Sequence, residues 1–398
     1  MSIKRGVVGS RTSSSARPIS VKSTLPIALV LTSSVVVAGV YGFDSPSKAL
    51  GFFEESLVLD KKGVATKPDS GNLFKYLELG KDMFNLSVPT IVSVSEVDAD
   101  LALHKANFIN ATNLIKKSAS MTNLASSKNS AIGYKADIVA CAFDSFDMDV
   151  NNANVNVCTA LNARTHINLY ADGNGDAIAK RNGFGSDRVT VAKCSLEIFN
   201  TDTASTQEYD SSVILGWLRC FVDGDKSGIG YSKSISNRVL TVSGVASPSE
   251  FYAGALDETD PTTENQIMSF IQHRGFRTWE YSTTSVDPIW QDARRVRITD
   301  LAIEAVLNGI FYAIDKGMNE LNSAKDSMRG FMNSLVGDDV MIGFSVELDL
   351  ERTTKERITA GEFYFIIDNQ EMPSPKLIHV TFNRVDRYAS VVYKMLDN

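Results

Sequence analysis

Two consecutive stretches with helical spacing of apolar residues, in the last third of the chain, constrain its fold more than any other feature. The stretch "DARRVRITDLAIEAVLNGIFYAIDKG" predicts a long helix, because its apolar residues recur every three or four positions. A second helix is predicted over roughly 318–336, with Gly337 as a candidate C-cap. The predicted apolar faces are Ile298, Leu301, Ala302, Ala305, Val306, Ile310 and Ala313 in the first helix, and Leu321, Ala324, Met328, Phe331 and Leu335 in the second.

Three strands are predicted to follow these helices, in "GFSVELDLE", "GEFYFIID" and "KLIHVTFNRV". In the first of them apolar residues alternate with carboxylates, which indicates one buried and one solvated face. The buried face would carry Phe344, Val346, Leu348 and Leu350. The final segment, "YASVVYKML", also has strand composition. Residues 251–385 are therefore predicted to form a domain of two helices packed on a small sheet, followed by a terminal strand at 386–398.

The preceding part of the chain has the pattern of an α/β protein. "IALVLTS" is typical of a fully buried strand, "NLFKYLELGKDMF" of a helix and "VPTIVSVSEV" of a second strand. After Asp98 the composition changes, so we place a first part of the core at 23–99 and a compact α/β domain at 100–250. In that domain "ADIVACAF", "THINLYAD" and "DRVTVAKCSLEIF" predict strands, and "SSVILGWLRCFVDGD" predicts a helix. This helix is expected to pack through Val213, Ile214, Trp217 and Leu218.

The N-terminal segment differs from the rest in charge and hydropathy. The chain has 398 residues, 43% of them hydrophobic, and a formal net charge of -7, which argues against nucleic acid as its main partner. The first 22 residues are instead basic, and "RTSSSARP" cannot bury enough area to order itself. Residues 1–22 are therefore predicted to form an arm. The apolar run at 25–43 is interrupted by Thr32, Ser33 and Ser34, so we interpret it as strand rather than as an export signal or membrane span.

Patterns that would indicate catalysis or metal binding are weak throughout the sequence. Cys141, Cys158, Cys194 and Cys220 are widely spaced and are predicted to be buried reduced thiols. "DGDKSGIGYSKS" resembles a calcium loop but ends in Ser234, where a glutamate is required, and "DGNGD" lacks the turn glycine. The four histidines are isolated, and neither a nucleophile elbow nor a phosphate-loop spacing occurs. We therefore predict no catalytic residue, no metal and no cofactor.

A basic arm and a strand beyond the main sheet are suited to β-strand addition between subunits. Exchange of this kind does not close in pairs, so it builds rings or helical filaments.

A resemblance to a known family rests on the region "ENQIMSFIQHRGFRTWEYSTTSVDPIWQDARRVRITDLAIEAV". It resembles the contractile tail sheath proteins of myophages, bacteriocins and related injection machines. The signature residues, in their family order, are Asn265, Gly275, Arg277, Trp279, Thr283, Trp290, Arg294 and Arg295. The chain departs from the family at Glu280 and Ser282, where glycine and arginine are common. The likeness covers most of the chain, and it is strongest from 261 to 385.

The resemblance implies a function and a set of partners. Subunits would form six-fold rings stacked helically around an inner tail tube, with the α/β domain outward and the C-terminal domain inward. Contraction would move this lattice from a metastable to a more stable state and drive the tube through a cell envelope, without consuming nucleotide. The further partners implied are baseplate and tail terminator proteins, with neither direct nucleic-acid binding nor membrane insertion. The subunit would be assembled in the host bacterial cytoplasm and would reside in the virion tail.

The resemblance also implies roles for particular residues. We expect Ile19 and Val21 in a donated N-terminal strand and Val391, Val392 and Tyr393 in a donated C-terminal strand. The acceptor sheet would include Phe344, Val346 and Leu348. Candidate charges facing the tube are Arg294, Arg295 and Lys325. Trp279 is expected to be buried and Arg277 to bond nearby carbonyls at the beginning of the C-terminal domain.

Two alternatives stay open at the level of sequence. The chain could be another self-assembling virion component, such as a tube or baseplate protein, which would share the arms but not the long two-helix block. It could also be an α/β enzyme that uses residues 130–225, although a set of acid, base and nucleophile residues is not visible there.

Overall fold

The structure is a computed structural model that describes residues 17–22, 25–55, 57, 69–117, 135–200, 204–225, 229–387, 392 and 395. The strands are β1 Ile27–Ser33, β2 Gly39–Phe43, β3 Thr90–Glu96, β4 Ile138–Cys141, β5 Arg164–Asn168, β6 Val189–Ala192, β7 Leu196–Asn200, β8 Ser205–Tyr209, β9 Gly244–Val245, β10 Ile267–Gln272, β11 Phe276–Trp279, β12 Met341–Leu348 and β13 Phe365–Glu371. The helices are α1 Pro46–Glu54, α2 Leu73–Glu78, α3 Leu101–Leu114, α4 Met148–Leu161, α5 Asn174–Arg181, α6 Ser211–Asp223, α7 Asp260–Glu264, α8 Ala293–Ile310, α9 Met318–Gly337 and α10 Lys355–Thr359. The chain divides after Val340 into two compact units.

The larger unit is built on an eight-stranded sheet with the order β11-β10-β6-β5-β4-β1-β3-β2. The inner strands run parallel, while β2 and β11 join the two edges in antiparallel orientation. β1 lies inside the sheet and every one of its residues is buried, which is why its first five residues, 27–31, are all apolar. The apolar stretch at 25–43 thus supplies β1 and β2, and we find no helix in the described ranges that is long and apolar enough to cross a bilayer.

Helices cover both faces of this sheet. On one face α1, α2 and α6 pack against alternate residues of β1 and β4, with Trp217 completely buried at the centre. On the other face α3 and α4 pack against the remaining residues of the same strands around Phe108. A third apolar cluster joins α5 to β5, β6 and β10. The predicted helix of "SSVILGWLRCFVDGD" is confirmed as α6, and the four residues expected to pack are all buried.

The two long helices predicted in the last third are confirmed as α8 and α9. Asp292 caps α8 by accepting hydrogen bonds from the backbone N–H groups of Arg294 and Arg295. The predicted apolar faces are buried, except that Ile310, Ala313 and Leu321 are only half-buried. α8 and α9 contact each other and belong to the larger unit.

The sheet of the larger unit also crosses the domain boundaries predicted from composition. β1 to β3 come from 23–99, β4 to β6 from 100–250, and β10 and β11 from 251–385. The boundaries expected at 99 and 250 therefore lie within one sheet, because strands far apart in sequence pair side by side. A small sheet of order β8-β7-β9 is attached to this unit.

The smaller unit contains the two-stranded antiparallel sheet of β12 and β13, with α10 in the connection. The predicted strands in "GFSVELDLE" and "GEFYFIID" are confirmed, but Leu350 lies beyond the end of β12 and is exposed. The predicted strand in "KLIHVTFNRV" is not formed, since residues 372–385 have neither helical nor strand structure. The strand prediction was wrong here because strand composition cannot supply a neighbouring strand, and no strand among the described residues forms a ladder with residues 377–385.

Candidate assembly surfaces

The predicted acceptor residues lie together on one strand. Phe344, Val346 and Leu348 alternate along β12 and are paired with Asn369, Ile367 and Phe365 of β13. Val346 is buried, whereas Phe344 and Leu348 are half-buried. Because the sheet has only two strands, β12 and β13 each present one edge that pairs with no other strand among the described residues. Such edges carry backbone groups that can accept an added strand.

Several apolar side chains of residues 377–385 are exposed to solvent. Ile378, Val380 and Phe382 alternate along this segment, and they are 76%, 69% and 94% exposed. Leu377 and Val385 are exposed as well. Contiguous exposed apolar groups in a soluble chain are typical of an interaction site. The period of two places Ile378, Val380 and Phe382 on a common side if the segment is extended.

The C-terminal strand expected at 391–393 falls largely outside the described residues. Val391 and Tyr393 are among the residues that the structure does not describe, and Val392 is exposed and not in a strand. Its assignment as a donated strand stays a prediction.

The N-terminal residues expected in a donated strand lie instead on their own chain. Ile19 packs against Gly309 near the end of α8, and neither Ile19 nor Val21 is paired in a strand. The flanking residues Arg17 and Lys22 contact α9 and α8 of the same chain. Within this chain, Ile19 therefore packs on α8 and does not take part in a strand.

The three candidate tube-facing charges have different surroundings. Arg294 is buried and donates to the carbonyl of Ser232 at 3.4 Å, so its guanidinium is not on the surface. Arg295 is half-buried and donates to the carbonyl of Ile289 at 3.2 Å. Lys325 is half-buried on α9. Only Arg295 and Lys325 are retained as candidates for an intermolecular contact.

The signature residues form a structural joint at the edge of the large sheet. Gly275 has a φ of 104° in the β10–β11 turn, a backbone conformation that favours glycine. Arg277 follows on β11 and donates to the carbonyls of His273 at 2.8 Å and Asn237 at 3.1 Å, as predicted. Trp279 is half-buried rather than buried, and its ring lies 4.9 Å from that of Phe251.

The other signature residues extend the joint towards α8. Trp290 is half-buried in a short helical turn, Pro288–Trp290, and its carbonyl accepts a hydrogen bond from the Thr283 hydroxyl at 2.6 Å. This turn directly precedes α8, so the signature connects the edge of the sheet to the long helix.

The position where an α/β protein would bind a ligand is filled by the chain itself. Strand order reverses between β1 and β4, and ligands of open α/β sheets bind at the carboxyl ends of such a strand pair. Here Asn72 accepts from the backbone N–H of Thr32 at 2.9 Å and donates to the carbonyl of Ala142 at 3.0 Å. Gly71 is packed so tightly that a Cβ atom would overlap the carbonyl oxygen of Thr32. The reversal point is therefore a packed joint.

A cavity of about 460 Å³ lies elsewhere, against α8, and several of the charged side chains that line it form ion pairs. Asp300 accepts from Arg164 at 2.7 Å and also from Arg188, and Glu304 pairs with Lys135 at 3.4 Å. Asp137 also lines the cavity, and burial raises its pKa to about 6. This arrangement of ion pairs joins α8 to the ends of β5 and β6.

The weak chemical motifs are structural. Asp223, the first residue of the calcium-like loop, accepts from Arg219 and Arg297 and is therefore neutralised by arginine. Asp225 pairs with Lys233 at 2.7 Å. The four cysteines are buried free thiols, as predicted, and burial raises the pKa of each. Within the described ranges we find no cluster of histidine, cysteine or carboxylate side chains that could hold a metal ion.

Sequence comparison relates this chain to tail sheath proteins. It is 27% identical over 203 residues to a prophage major tail sheath protein of Pseudomonas aeruginosa (strain UCBPP-PA14), a match that covers 50% of this chain and 51% of that protein. The tail sheath protein of Burkholderia phage BcepMu is 27% identical over 208 residues, which are 50% of this chain and 42% of the relative. That of Escherichia phage P2 is 24% identical over 250 residues, 60% of this chain and 61% of the relative. The chain thus spans about half the length of the curated relatives it matches, and no family model matches it.

Solved structures share the fold over almost the whole chain. The sheath complex of PVC, an extracellular contractile injection system, in its contracted state aligns with a TM-score of 0.66 at 12% identity, over 97% of this chain and 99% of that one. The contracted helical sheath of the anti-feeding prophage (AFP) aligns with a TM-score of 0.65 at 15% identity, over 97% and 100% of the two chains. These likenesses show the fold. Together with the names of the curated relatives, they confirm the resemblance to contractile sheath proteins that the sequence indicated.

Proposed function

We propose that this chain is the structural subunit of a contractile tail sheath. Its copies would polymerise as stacked six-fold rings around an inner tube and contract to drive that tube through a cell envelope. The observation that carries the proposal is the small C-terminal sheet, which consists of two strands, β12 and β13, among the described residues and is followed by a segment, 377–385, whose apolar side chains are exposed. The sheath fold, shared over 97% of the chain, supports it.

Strand addition is the physical step that the incomplete sheet suits. A two-stranded sheet is marginally stable in water, so additional strands from neighbouring copies would both stabilise it and connect the subunits. Backbone hydrogen bonds would supply most of this attraction. The alternating side chains of Ile378, Val380 and Phe382 would select the register by entering apolar positions of the neighbour.

Contraction in this proposal needs no chemical reaction within the subunit. Energy would be stored in the lattice at assembly and released when the subunits move to a more stable arrangement. The packed reversal point of the large sheet and the ion pairs of Asp300 with Arg164 and Arg188 are consistent with a structural role. The curated relatives are likewise named as sheath proteins.

The partners follow from the same proposal. The subunit would bind copies of itself, an inner tail tube protein, and baseplate and terminator proteins at the two ends of the tail. One solved relative of the same fold comes from the baseplate of the anti-feeding prophage, in a structure described as 6-fold symmetrised. Arg295 and Lys325 are the candidate charges towards the tube, where pairs must be weak enough to break during contraction. Assembly would take place in the bacterial cytoplasm, and the subunit would end in the virion tail.

Electron microscopy of the purified protein in negative stain tests the proposal. We expect striated hollow cylinders, because sheath subunits polymerise around a helical axis. Narrow smooth tubes or discs would favour a tube or baseplate component, and isolated particles at all concentrations would contradict self-assembly.

A deletion of residues 1–16 provides the matched variant for this experiment. The shortened chain should remain folded, because every described strand and helix follows residue 16 in the sequence. It should not form long cylinders. Cylinders of normal length from this variant would show that the N-terminal arm is not needed for assembly.

A further inference from the structure

The segment 17–22 contacts helices of its own chain through its first and its last residue. The backbone N–H of Arg17 donates to the hydroxyl of Ser327 on α9 at 2.8 Å, and its guanidinium lies 4.1 Å from the ring centre of Tyr312. At the other end, Lys22 forms an ion pair with Glu304 on α8. A segment that is free to leave would not be expected to make specific contacts at both ends.

Between these ends, Ile19 occupies a notch that only glycine provides. A Cβ atom built on Gly309 would lie 2.5 Å from Cγ1 of Ile19 and within 3.0 Å of two further atoms of that side chain. Any larger residue at 309 must therefore displace Ile19. Glycine within a helix costs roughly 1 kcal/mol relative to alanine, so its presence here is explained by the close approach of Ile19.

Glu304 strengthens the contact at the Lys22 end. Burial opposes its ionisation, but hydrogen bonds and charge from Lys22 and from Lys135 lower its pKa below the usual value. The carboxylate is therefore ionised at neutral pH and holds two ammonium groups, one on the segment and one that immediately precedes β4. A few residues later Pro26 accepts a hydrogen bond from the backbone N–H of Asp137 at 2.9 Å, where the chain joins the sheet.

We infer that residues 17–22 are an anchor, which stays on its own subunit during assembly, so that any exchange of the N-terminal arm excludes these residues. This inference rests on the proposed function, because it assigns the fixed and the exchanged parts of the N-terminal arm. The anchor would pass tension from the neighbour directly to α8 and α9, through the Gly309 notch and the Lys22–Glu304 pair.

A disulfide between the anchor and α8 distinguishes a fixed segment from one that is released. We would replace Ile19 and Gly309 by cysteine in the full chain, whose own four cysteines are buried. Mass spectrometry of the isolated subunit should show a bond between positions 19 and 309 after mild oxidation. Ser20→Cys combined with Gly309→Cys is the matched control, because Ser20 is exposed beside the notch and should cross-link at least about tenfold less.

Assembly of the locked protein then decides whether the anchor holds. We expect cylinders of the same length from the oxidised and the reduced Ile19→Cys/Gly309→Cys protein. Cylinders that form only after reduction would overturn the inference, because the segment would then have to leave α8. Failure of the bond to form in the isolated subunit would overturn it as well. If wild-type protein never formed cylinders, the proposed function would fail, while the disulfide yield would still show whether the anchor exists.

A second variant tests the notch without a cross-link. Gly309→Val should expel Ile19 and make trypsin cleave after Lys22 about tenfold faster, while the thermal unfolding of the sheet remains cooperative. Gly330→Val is the matched control, since a Cβ atom at that position on α9 meets no atom within 4 Å. Equal cleavage rates in the two variants would contradict the role of Gly309.

Discussion

Arg297 on α8 donates to the carboxylate of Asp223 at the end of α6, and both side chains are almost completely buried. Arg219 donates to the same carboxylate at 2.8 Å from within α6. One buried carboxylate therefore holds two guanidinium groups, one of which lies on each helix. This relationship ties the helical layer of α8 to the α/β core more specifically than apolar contact would.

Replacement of Asp223 by asparagine should strongly destabilise the subunit. It leaves two buried guanidinium groups without a counter-charge, so we expect the free energy of unfolding to fall by about 3–5 kcal/mol. Asp225→Asn is the control, because the pair of Asp225 with Lys233 is partly exposed and should contribute less than about 1 kcal/mol. Urea denaturation followed by circular dichroism measures both. Equal losses in the two variants would mean that Asp223 is not the connecting group.

Glu280 carries the strain of the signature turn. It has a φ of 76°, in the left-handed region that is costly for residues with a Cβ atom, and it stands where the related family commonly has glycine. Glu280→Gly should therefore unfold with a free energy equal to that of wild type or up to about 1 kcal/mol higher, and Glu280→Val should lose about 1–2 kcal/mol.

The control for this prediction is Glu264→Gly in α7, which should lose about 0.5–1 kcal/mol because its backbone is helical. Thermal and urea denaturation of the three variants gives their order. If Glu280→Gly were the least stable of them, the hydrogen bond between Glu280 and Ser282 would outweigh the backbone strain.

The main elements could be predicted from sequence where burial alone determines them. β1 is buried on both faces, α6 is buried almost all around, and α8 and α9 each bury one face, so their apolar composition and spacing reflect the environment directly. Arg277 and the turn at Gly275 were predicted from the family signature. These features depend on contacts that are local or that repeat with a regular period.

The features that could not be predicted depend on partners. The segment at 377–385 has strand composition but no ladder in this chain, and Ile19 has strand composition but fits the Gly309 notch. Arg294 has the charge of a surface residue, yet the folding of α8 against residues near Ser232 buries it. Pairing between β6 and β10 connects residues about 75 positions apart, and composition along the chain does not record such a contact.

His166 should make the subunit less stable in acid. Burial, with the charges of Arg219, Arg297 and Arg164, lowers its pKa from 6.5 to about 3. Below about pH 6.5 the unfolded chain therefore binds a proton at His166 that the folded chain does not bind. The free energy of unfolding falls as the pH decreases from 6.5 towards 3. At pH 4.5 this one group should cost about 2–3 kcal/mol relative to pH 7.

The contribution of His166 is isolated by comparison with His166→Asn. An amide at this position can still reach the Thr190 hydroxyl but does not titrate. The difference in unfolding free energy between wild type and variant should shift by about 2–3 kcal/mol in favour of the variant as the pH falls from 7 to 4.5. Asp137 and Asp210, whose raised pKa values produce the opposite slope, are present in both proteins and cancel. A difference that is independent of pH would contradict the prediction, because it would show that His166 has the same pKa in the folded and the unfolded chain.

Residues 377–385 should be necessary for assembly but not for folding. Val380 is exposed in the isolated chain, so Val380→Lys should change the free energy of unfolding by less than about 0.5 kcal/mol. In an added strand, however, the same substitution would bury an unpaired ammonium group against apolar residues of the neighbour, and cylinders should not form.

Thr381→Lys is the control, because the next residue of an extended segment points to the opposite side. Sedimentation and negative-stain microscopy compare the two variants, and loss of cylinders in both would indicate that charge alone prevents assembly. Normal cylinders from Val380→Lys would instead remove this segment from the interface and leave the edges of β12 and β13 to be paired by another part of the neighbouring chain.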